Sequence, residues 1–320
     1  MEFHPSNIQF AAYQLIPSIA LNAKALSRTR RGYWLRSQGR FADYLAWPEF
    51  GDSTWEQDHS VPASQQSGLW KRCLQILSTP EVKLNEKKMN QPYSAWFENH
   101  FLVTPDQQTY QNLSVAYEKG FRTFKLKIAG SKKPLFSEEQ KKFFQDHPNV
   151  ILRLDANHSL EVMDLPFVLD SIKPFRSCVE FLEDPFPSAQ DPWAWKMWND
   201  QIPLAADFEK RDWMTDQHVR YFIVKPQRED PDLWIGRQKS IVSVITHSME
   251  SPLGVALTLD RMSILTAKWG SAIHPISGLM GFHCYQDFDE RLFEQQGSKI
   301  RRSTFSYDEF LGDVVWQNLV

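Results

Sequence analysis

The sequence predicts an α/β protein whose larger part is a (β/α)8-type barrel. From about residue 98 onward, short apolar runs of strand length alternate about eight times with helical stretches. This rhythm is typical of a parallel sheet. Almost every run ends in a charged or polar residue, and the carboxyl ends of barrel strands meet at one mouth. A phosphate-cradling glycine loop of the GxGxxG or GxxxxGK type is missing from the sequence, which weakens the alternative of an open nucleotide-binding sheet.

The strand–helix units follow one another without a long interruption. In chain order the predicted strands are HFLVT, TFKLKI, VILRLDA, CVEFLED, PLAAD, YFIVKP, SVITHS and a last strand near SAIHP. The predicted helical segments between them are PDQQTYQNLSVAYEKG, SEEQKKFFQDH, DLPFVLDSIKPF, DPWAWKMWND, a short RDWMTDQHV, DPDLWIGRQKS and PLGVALTLDRMSILTAKWG.

The first 95 residues have a different pattern. Three β-like runs (IQFAAYQLI, RRGYWLRSQ and RFADYLAW) precede an amphipathic helical segment, SGLWKRCLQILS. The dipeptide Gln38-Gly39 between the second and third runs predicts a hairpin turn. We therefore expect an α+β domain over residues 1–95 and a barrel domain over residues 96–320.

Charge and composition exclude several classes of function. The net charge is −3 and the pI about 6.3, so there is no electrostatic basis for nucleic-acid binding. No apolar run reaches the roughly 18–20 residues of a membrane helix, and MEFHPSNIQF lacks the pattern of a signal peptide. Three widely spaced cysteines are typical of reduced thiols. We expect a cytoplasmic protein with a small-molecule ligand, and the sequence leaves its oligomeric state open.

The strand ends carry an ordered set of polar side chains. Taken alone, each is ordinary, since a strand-end carboxylate is usually a helix N-cap and a K-x-K pair is usually an exposed strand face. A set in which each consecutive strand ends in such a residue is far more specific than any one of them. The set consists of Lys125 and Lys127 on the second barrel strand, Arg153 and Asp155 on the third, Glu183 on the fourth, Asp207 on the fifth, Lys225 on the sixth and Thr246 on the seventh.

Three carboxylates on consecutive strands suggest a metal site. Asp155, Glu183 and Asp207 would repel one another at a barrel mouth unless a cation lies between them. Oxygen ligands suit a hard divalent cation, and we expect Mg²⁺, with Mn²⁺ as a substitute. Lys127 and Lys225 precede and follow the carboxylate strands, so we expect them on opposite sides of the metal.

These motifs resemble the enolase superfamily in its muconate-lactonizing branch. The resemblance is carried by KLK on the second barrel strand, LRLDAN, FLEDP and AAD on the next three, and VKP on the sixth. TRRGYWLR in the first domain and ITHSMESPLG after the seventh strand are similar to the o-succinylbenzoate synthase family within that branch. The resemblance covers most of the chain and is strongest from about 121 to 258.

The resemblance implies a modified TIM barrel, (β/α)7β, beneath an N-terminal α+β capping domain. It implies a substrate-specificity loop near 17–29 and a C-terminal tail that packs back on the cap. Residue by residue, it implies Asp155, Glu183 and Asp207 as Mg²⁺ ligands and Lys127 and Lys225 as catalytic residues. It further implies substrate contacts from Lys125, Arg153, Thr246 and Gly278.

The family reaction is the loss of water from 2-succinyl-6-hydroxy-2,4-cyclohexadiene-1-carboxylate to give 2-succinylbenzoate, a step of menaquinone biosynthesis. Lys127 is expected to remove the proton α to a carboxylate and then to donate it to the departing hydroxyl. A lysine base must be neutral, and a neighbouring Lys125, a metal ion and desolvation all lower the pKa of Lys127.

The sequence also departs from the family pattern and leaves alternatives open. Asp184 stands where Glu or Gln is commoner, and Asp207-Phe208-Glu209 replaces the usual D-E-S. An N-acylamino acid racemase, a dipeptide epimerase and a cycloisomerase use the same lysines and metal, and a catalytically inactive binding barrel is the non-enzymatic alternative. The roles of His247 and of the Asp287/Asp289 pair stay open, with a loop position favoured for both.

Overall fold

A computed structural model describes residues 7–18, 29–79, 95–103, 109–128, 134–187, 191–208 and 210–319. The first domain is built on an antiparallel sheet of β1 (Gln9–Leu15), β2 (Arg30–Ser37), β3 (Arg40–Tyr44) and β15 (Gln317–Asn318). The strand order in this sheet is β15-β1-β2-β3. Two helices accompany it, α1 (Trp55–Ser60) and α2 (Gly68–Ser78).

The local features of this domain follow from its sequence. Gln38 and Gly39 adopt φ values of 52° and 75°, as a two-residue I′ hairpin turn between β2 and β3 requires. The Ser67 side chain accepts a hydrogen bond from the Trp70 N–H and thereby caps α2. The buried face of α2 packs with the aromatic side chains of the sheet, and this core is separate from the barrel core.

The larger domain is the predicted barrel. Seven strands form a parallel sheet in chain order: β5 (Phe101–Val103), β6 (Thr123–Lys127), β7 (Ile151–Asp155), β8 (Val179–Glu183), β9 (Leu204–Ala206), β10 (Tyr221–Val224) and β11 (Val242–Ile245). The eighth strand, β12 (Ile276–Ser277), closes the barrel, because it pairs in parallel with β4 (Phe97–Asn99), which directly precedes β5. Parallel bridges from Ser243 to Ile273 and from Thr246 to Gly278 join the seventh strand to this eighth strand.

Helices cover the outside of the barrel, but not after every strand. The barrel helices are α3 (Tyr110–Glu118), α4 (Glu138–Asp146), α5 (Leu165–Ile172), α6 (Pro192–Asn199) and α7 (Pro252–Trp269). The helices predicted in RDWMTDQHV and DPDLWIGRQKS are wrong: the first segment forms turns and the second a single 3-10 turn at Pro231–Leu233. Gly236 at a φ of 72° breaks the second segment, because a helix needs negative φ throughout. The final strand lies a few residues later than predicted.

The chain returns to the first domain after the barrel. A hairpin of β13 (Phe293–Gln296) and β14 (Lys299–Arg302) pairs with β4. The short helix α8 (Tyr307–Phe310) leads to β15, which pairs antiparallel with β1. The predicted boundary near residue 95 lies beside 80–94, outside the described residues. Among the described helices, none combines the length and apolar character that a membrane crossing demands.

Candidate active site

The alternation of side chains along the barrel strands explains where the polar residues meet. The register aligns Lys127 with Asp155, and Asp155 with Glu183, on three adjacent strands. Residues two apart on a strand share a face, so each lies one layer above another inward residue. The layer beneath includes a small apolar cluster of Phe181, Ala205, Ile223 and Val244. The polar residues therefore form the upper layer of the barrel interior.

Lys125 is bound to two of the carboxylates. Its Nζ donates to Glu183 Oε1 at 2.7 Å and lies 3.1 Å from Asp155 Oδ2. Burial lowers the pKa of Lys125, but the charges of Asp155 and Glu183 outweigh it, and the pKa is raised above its ordinary value. Lys125 is therefore a permanent cation in the centre of the site.

Lys127 is in a different electrostatic environment. Burial is the largest influence and lowers its pKa below the ordinary lysine value; Asp155 acts in the opposite direction, and the charge of Lys125 adds to the lowering. This agrees in direction with the sequence argument that Lys125 favours a neutral Lys127. The two lysines of one strand face thus differ in character, one a cation and the other a candidate base.

Asp207 and Lys225 face each other on the other side of the site. Lys225 Nζ donates to Asp207 Oδ2 and lies 4.4 Å from the centroid of the Phe208 ring. Burial would raise the pKa of Asp207, but Lys225 and Lys210 hold it below its ordinary value. Lys210, buried nearby, donates to the carbonyls of Asp207 and Ile223 and pairs with Glu229.

Asp184 fixes the end of the fifth barrel strand. Its carboxylate accepts hydrogen bonds from the backbone N–H groups of Asp207 and Phe208, at 2.9 and 3.2 Å. Its own backbone is left-handed, with a φ of 41°, a conformation that Asp tolerates better than most residues. The aspartate that departs from the family pattern thus positions Asp207. Glu209, the other departure, lies outside the described residues.

The donor set fits a divalent cation, although the carboxylates do not form a ready cage. Within the described residues, no group of three or more His, Cys, Asp or Glu side chains is arranged to hold a metal ion. Lys125 and Lys225 lie against these carboxylates instead. Yet Glu183 Oε2 is buried without a hydrogen-bond partner in the described ranges, and burial, which the charge of Lys125 offsets only in part and to which Asp155 and Asp207 add, raises the pKa of Glu183 to about 8. An orphaned buried carboxylate oxygen of this kind is satisfied by a cation.

A cavity of about 790 Å³, including its open mouth, lies above this polar layer. That volume suits a small organic ligand. The first domain contributes Trp47, whose Nε1 donates to the Ser248 carbonyl at 3.2 Å. The lining consists of Trp47, His100, Leu102, Lys125, Lys127, Asp155, Asn157, Asp207, Phe208, Lys225, Arg228, Thr246, His247, Ser248, Met249, Gly278, Met280 and Gly281. Trp47 was not identified from the sequence, because an aromatic residue at a strand end also fits a core role.

Most of the predicted site residues line this cavity. Glu183 contacts Lys125, which lines it, whereas Arg153 lies beneath the lining. Its side chain is fully buried and lies one layer below Asp155. The guanidinium donates to Glu180, to His100 and to His274. The prediction that Arg153 lines the pocket is wrong, since alternation along a strand gives the face of a side chain but not its depth in the barrel. The sequence analysis also missed His100, which occupies the cavity wall.

His247 joins two loops. Its Nε2 accepts from the Gly281 N–H at 2.9 Å, and its Nδ1 lies 3.4 Å from Glu250 Oε2. His247 therefore lines the cavity and also connects the loops after the seventh and eighth strands. The Asp287/Asp289 pair lies away from the lining, and Asp289 binds Arg291. Most of the loop near 17–29 lies outside the described residues.

Comparison with known proteins shows which proteins the chain is similar to. Residues 8–77 match the family model described as O-succinylbenzoate synthase, N-terminal domain. The chain is 24% identical over 329 aligned positions to an o-succinylbenzoate synthase of Bdellovibrio bacteriovorus, covering 98% of each chain. Among solved structures, an Enterococcus faecalis V583 protein described as an unknown member of the enolase superfamily superposes with a TM-score of 0.69 at 17% identity, covering 98% of both chains.

The chain has the fold of solved enolase-superfamily structures, and its first domain matches an o-succinylbenzoate synthase N-terminal domain. A further structure with this fold is a dipeptide epimerase from Cytophaga hutchinsonii complexed with Mg and a dipeptide, with a TM-score of 0.68, 12% identity and coverage of 98% of this chain and 99% of that one. The predicted α/β class, a capping domain with a modified barrel, is confirmed.

Proposed function

We propose that this protein is an o-succinylbenzoate synthase, a hydro-lyase that converts 2-succinyl-6-hydroxy-2,4-cyclohexadiene-1-carboxylate into 2-succinylbenzoate. The observation that carries the proposal is the pair of lysines, Lys127 and Lys225, that face one cavity from either side of three carboxylate strands. The match of residues 8–77 to an o-succinylbenzoate synthase domain supports this reaction among those of the superfamily.

Lys127 is the proposed acid and base. Burial and the charge of Lys125 favour its neutral form, so its Nζ is able to accept the proton α to the substrate carboxylate. The proton then lies on the side of the substrate that Lys127 faces. Donation of this proton to the departing hydroxyl releases water and returns Lys127 to its neutral state, a syn elimination served by one residue.

Lys225 is the proposed electrostatic partner. Its side-chain nitrogen donates to Asp207 and lies against the Phe208 ring. It is therefore suited to stabilise negative charge that develops on the substrate during proton removal. Lys125, bound to Asp155 and Glu183, keeps that side of the cavity cationic.

Asp155, Glu183 and Asp207 would hold the divalent cation, Mg²⁺ or Mn²⁺ in its place. When bound, such an ion stabilises the two negative charges of a deprotonated carboxylate. Asp184 orients the backbone that carries Asp207, and Trp47 of the first domain lines the cavity. These residues order the site and limit access of water.

An N-acylamino acid racemase or dipeptide epimerase is the second candidate, and the dipeptide epimerase fold similarity is the observation that favours it. A racemase needs a second working base on the opposite face. The match of residues 8–77 to an o-succinylbenzoate synthase domain favours the dehydration over racemisation. The dehydration is therefore the better-supported reaction.

An assay of the purified protein tests this proposal. The cyclohexadiene substrate and a panel of N-succinyl amino acids would be supplied separately, with Mg²⁺, and exchange of the α-proton followed in D₂O. We expect dehydration to exceed racemisation by a wide margin in kcat/KM. Racemisation without dehydration would replace the proposal with the second candidate, and no exchange with any substrate would indicate an inactive binding barrel. In the cell we place the reaction in cytoplasmic menaquinone biosynthesis.

A further inference from the structure

One wall of the cavity lies opposite the carboxylate strands and carries polar groups that the proposed chemistry does not use. In the closed strand order, Asp155 and Glu183 end the third and fourth strands, and Asp207 follows the fifth. His100 directly precedes the first strand, and Thr246 and Gly278 directly follow the seventh and eighth, on the other side of the barrel. His100 and Gly278 are neighbours there, since the His100 N–H donates to the Ser277 carbonyl.

The hydrogen bonds of His100 fix its tautomer. An Arg153 guanidinium N–H lies 3.0 Å from His100 Nδ1. A guanidinium only donates, so Nδ1 is the acceptor and the ring proton is on Nε2. Burial, followed by the charge of Arg153, lowers the pKa of His100 well below its ordinary value. His100 is thus a neutral imidazole with an Nε2–H donor.

The Nε2 edge of the ring faces the cavity. His100 lines the cavity together with Gly278, and a Cβ at position 278 would lie 2.7 Å from His100 Nε2. Glycine therefore leaves the space in which this edge of the ring is placed. Among the described residues, no side chain or backbone group accepts a hydrogen bond from Nε2.

Arg153 is held rigidly beneath this histidine. Its Nε donates to Glu180 at 2.6 Å, and another nitrogen donates to His274 Nδ1 at 3.0 Å. His274 Nε2 in turn lies 3.0 Å from Glu180. Every member of this buried network has a partner, so the arrangement specifies one orientation of the guanidinium.

Thr246 provides an independent observation on the same wall. Its side chain is 5% exposed, and its Oγ1 has no hydrogen-bond partner in the described part of the chain. Buried hydroxyls without a partner are uncommon in folded proteins. Thr246 is bridged to Gly278, and its Cγ2 would lie 3.0 Å from a Cβ at position 278, the same Cβ that would lie 2.7 Å from His100 Nε2.

We propose that His100 is a substrate-binding residue whose Nε2–H donates to an acceptor oxygen on the part of the substrate remote from the carboxylate strands. Thr246 lies on the same wall of this subsite, and Arg153 is a positioning residue that fixes the His100 tautomer. The identity of the acceptor rests on the proposed function. Because the substrate carboxylate is directed to the metal side, the oxygen that faces His100 is one of the succinyl chain.

The test uses two matched asparagine variants. His100→Asn retains an acceptor where Nδ1 was and so preserves the bond from Arg153, but it removes the donor at the Nε2 position. His274→Asn alters the same network in the same way without touching the cavity. We expect H100N to weaken binding of 2-succinylbenzoate roughly tenfold, measured by calorimetry, and H274N to change it less than about twofold. His100→Gln, which restores an N–H near the Nε2 position, should recover part of the affinity.

Two further measurements complete the test. An analogue with an alkyl chain in place of the succinyl chain should bind H100N and wild type equally, and ¹⁵N NMR of the wild type should show His100 protonated on Nε2. Equal losses in H100N and H274N, or a proton on Nδ1, would overturn the inference. If the wild type racemises N-succinyl amino acids instead, the same variants are measured with those ligands, which carry the same succinyl oxygens. If neither ligand class binds, both proposals fail.

Discussion

Lys127 and Lys225 have different proposed roles in the reaction. We therefore expect the same substitution to have different effects on catalysis at the two positions. Lys127→Arg keeps a positive charge in a group that does not release its proton. We expect this change to lower kcat by about 10²–10⁴-fold, the usual contribution of a general base, and to abolish α-proton exchange in D₂O. Both quantities are measured on the Mg²⁺-loaded enzyme.

The control for this prediction is Lys225→Arg. Arginine retains the charge that the proposed role of Lys225 requires, so K225R should keep measurable dehydration while K225A loses it. If K127R and K225R proved equally active, Lys127 would not be the base. Near-normal turnover of K225A would remove Lys225 from the mechanism.

The environment of Glu183 leads to a prediction of how a metal ion changes the stability of the protein. Glu183 Oε2 has no hydrogen-bond partner among the residues described, and the pKa of Glu183 is raised to about 8, so burial destabilises the ionised form of this carboxylate. A bound cation would offset that cost. After EDTA treatment, Mg²⁺ at 100 times its Kd should raise the free energy of unfolding by about 2.7 kcal/mol, seen as a higher Tm. Glu183→Gln should lose most of this gain. Because protons compete for the carboxylate, the gain at one fixed Mg²⁺ concentration should be larger at pH 9 than at pH 6.

Glu138→Gln serves as the matched control, since the Glu138 side chain is 89% exposed and far from the cavity lining. It should respond to Mg²⁺ as the wild type does. NaCl at the same ionic strength should leave the Tm of all three proteins nearly unchanged. An equal Mg²⁺ response of E183Q and wild type would place the metal elsewhere.

At the scale of strands, the site is predicted from the alternation of side chains, because residues two apart on a strand share a face. Lys125, Lys127, Asp155 and Glu183 follow apolar runs, and the alternation alone places them on one face of adjacent strands. This alternation does not show how deep in the barrel interior a side chain lies. Arg153 shares the inward face with Asp155 but lies one layer lower, where it binds His100 rather than a ligand.

His100 escapes sequence analysis for a related reason. It lies between β4 and β5, at the beginning of the apolar run that predicts the first barrel strand, so it carries no strand-end signal. The segments between strands also limit the prediction of helices. In RDWMTDQHV the Thr215 N–H donates to the His218 side chain, and such local bonds compete with a helical turn. Neither the tautomer of a histidine nor the partner of a turn residue is visible before the fold is known.

The start of α7 supplies a prediction at the element scale. Gly254 lies in its first turn, and a Cβ there would overlap Asp43 Oδ2 and lie 2.5 Å from Glu250 Cβ. Alanine is normally better than glycine in a helix by about 1 kcal/mol. Here the overlap dominates, and we expect Gly254→Ala to lower the free energy of unfolding by roughly 1–3 kcal/mol in urea denaturation.

Gly68 at the start of α2 is the comparison position. A Cβ at this position would have no described atom within 4 Å. Gly68→Ala should therefore be neutral or stabilising by up to about 1 kcal/mol. If both alanine variants gained stability, the contact of Asp43 with α7 would not be a tight one.

At the scale of the whole molecule, the cap is joined to the barrel by buried polar contacts close to the cavity. Arg228, which lines the cavity, donates to both carboxylate oxygens of Asp52 in the cap, at 2.5 and 2.6 Å. Asp43 of β3 accepts from the N–H and the hydroxyl of Ser251, the N-cap of α7, at 3.0 and 2.9 Å. The loops that shape the active site are thus the same loops that hold the cap, so cap docking and site geometry depend on one set of contacts.

Asp43 makes this docking sensitive to pH. Burial raises its pKa to about 7, and hydrogen bonds from Tyr13 and Ser251 offset only part of that effect. The folded protein therefore holds this proton more tightly than the unfolded chain, whose carboxyl titrates near 4. Stability from this group is fully present below about pH 4 and is lost as the pH rises toward 7, by up to roughly 4 kcal/mol.

Asp43→Asn removes this titration while keeping an oxygen that accepts from Ser251. We expect the free energy of unfolding of D43N, measured by urea denaturation, to fall less between pH 5 and pH 7 than that of the wild type. Asp212→Asn, at an exposed surface carboxylate, should follow the wild-type slope and so controls for the loss of one acid. Parallel pH dependence in wild type and D43N would mean that Asp43 is ionised throughout this range. In that case its hydrogen bonds and the N-terminus of α7 would outweigh burial, and the cap would be docked by a permanent negative charge.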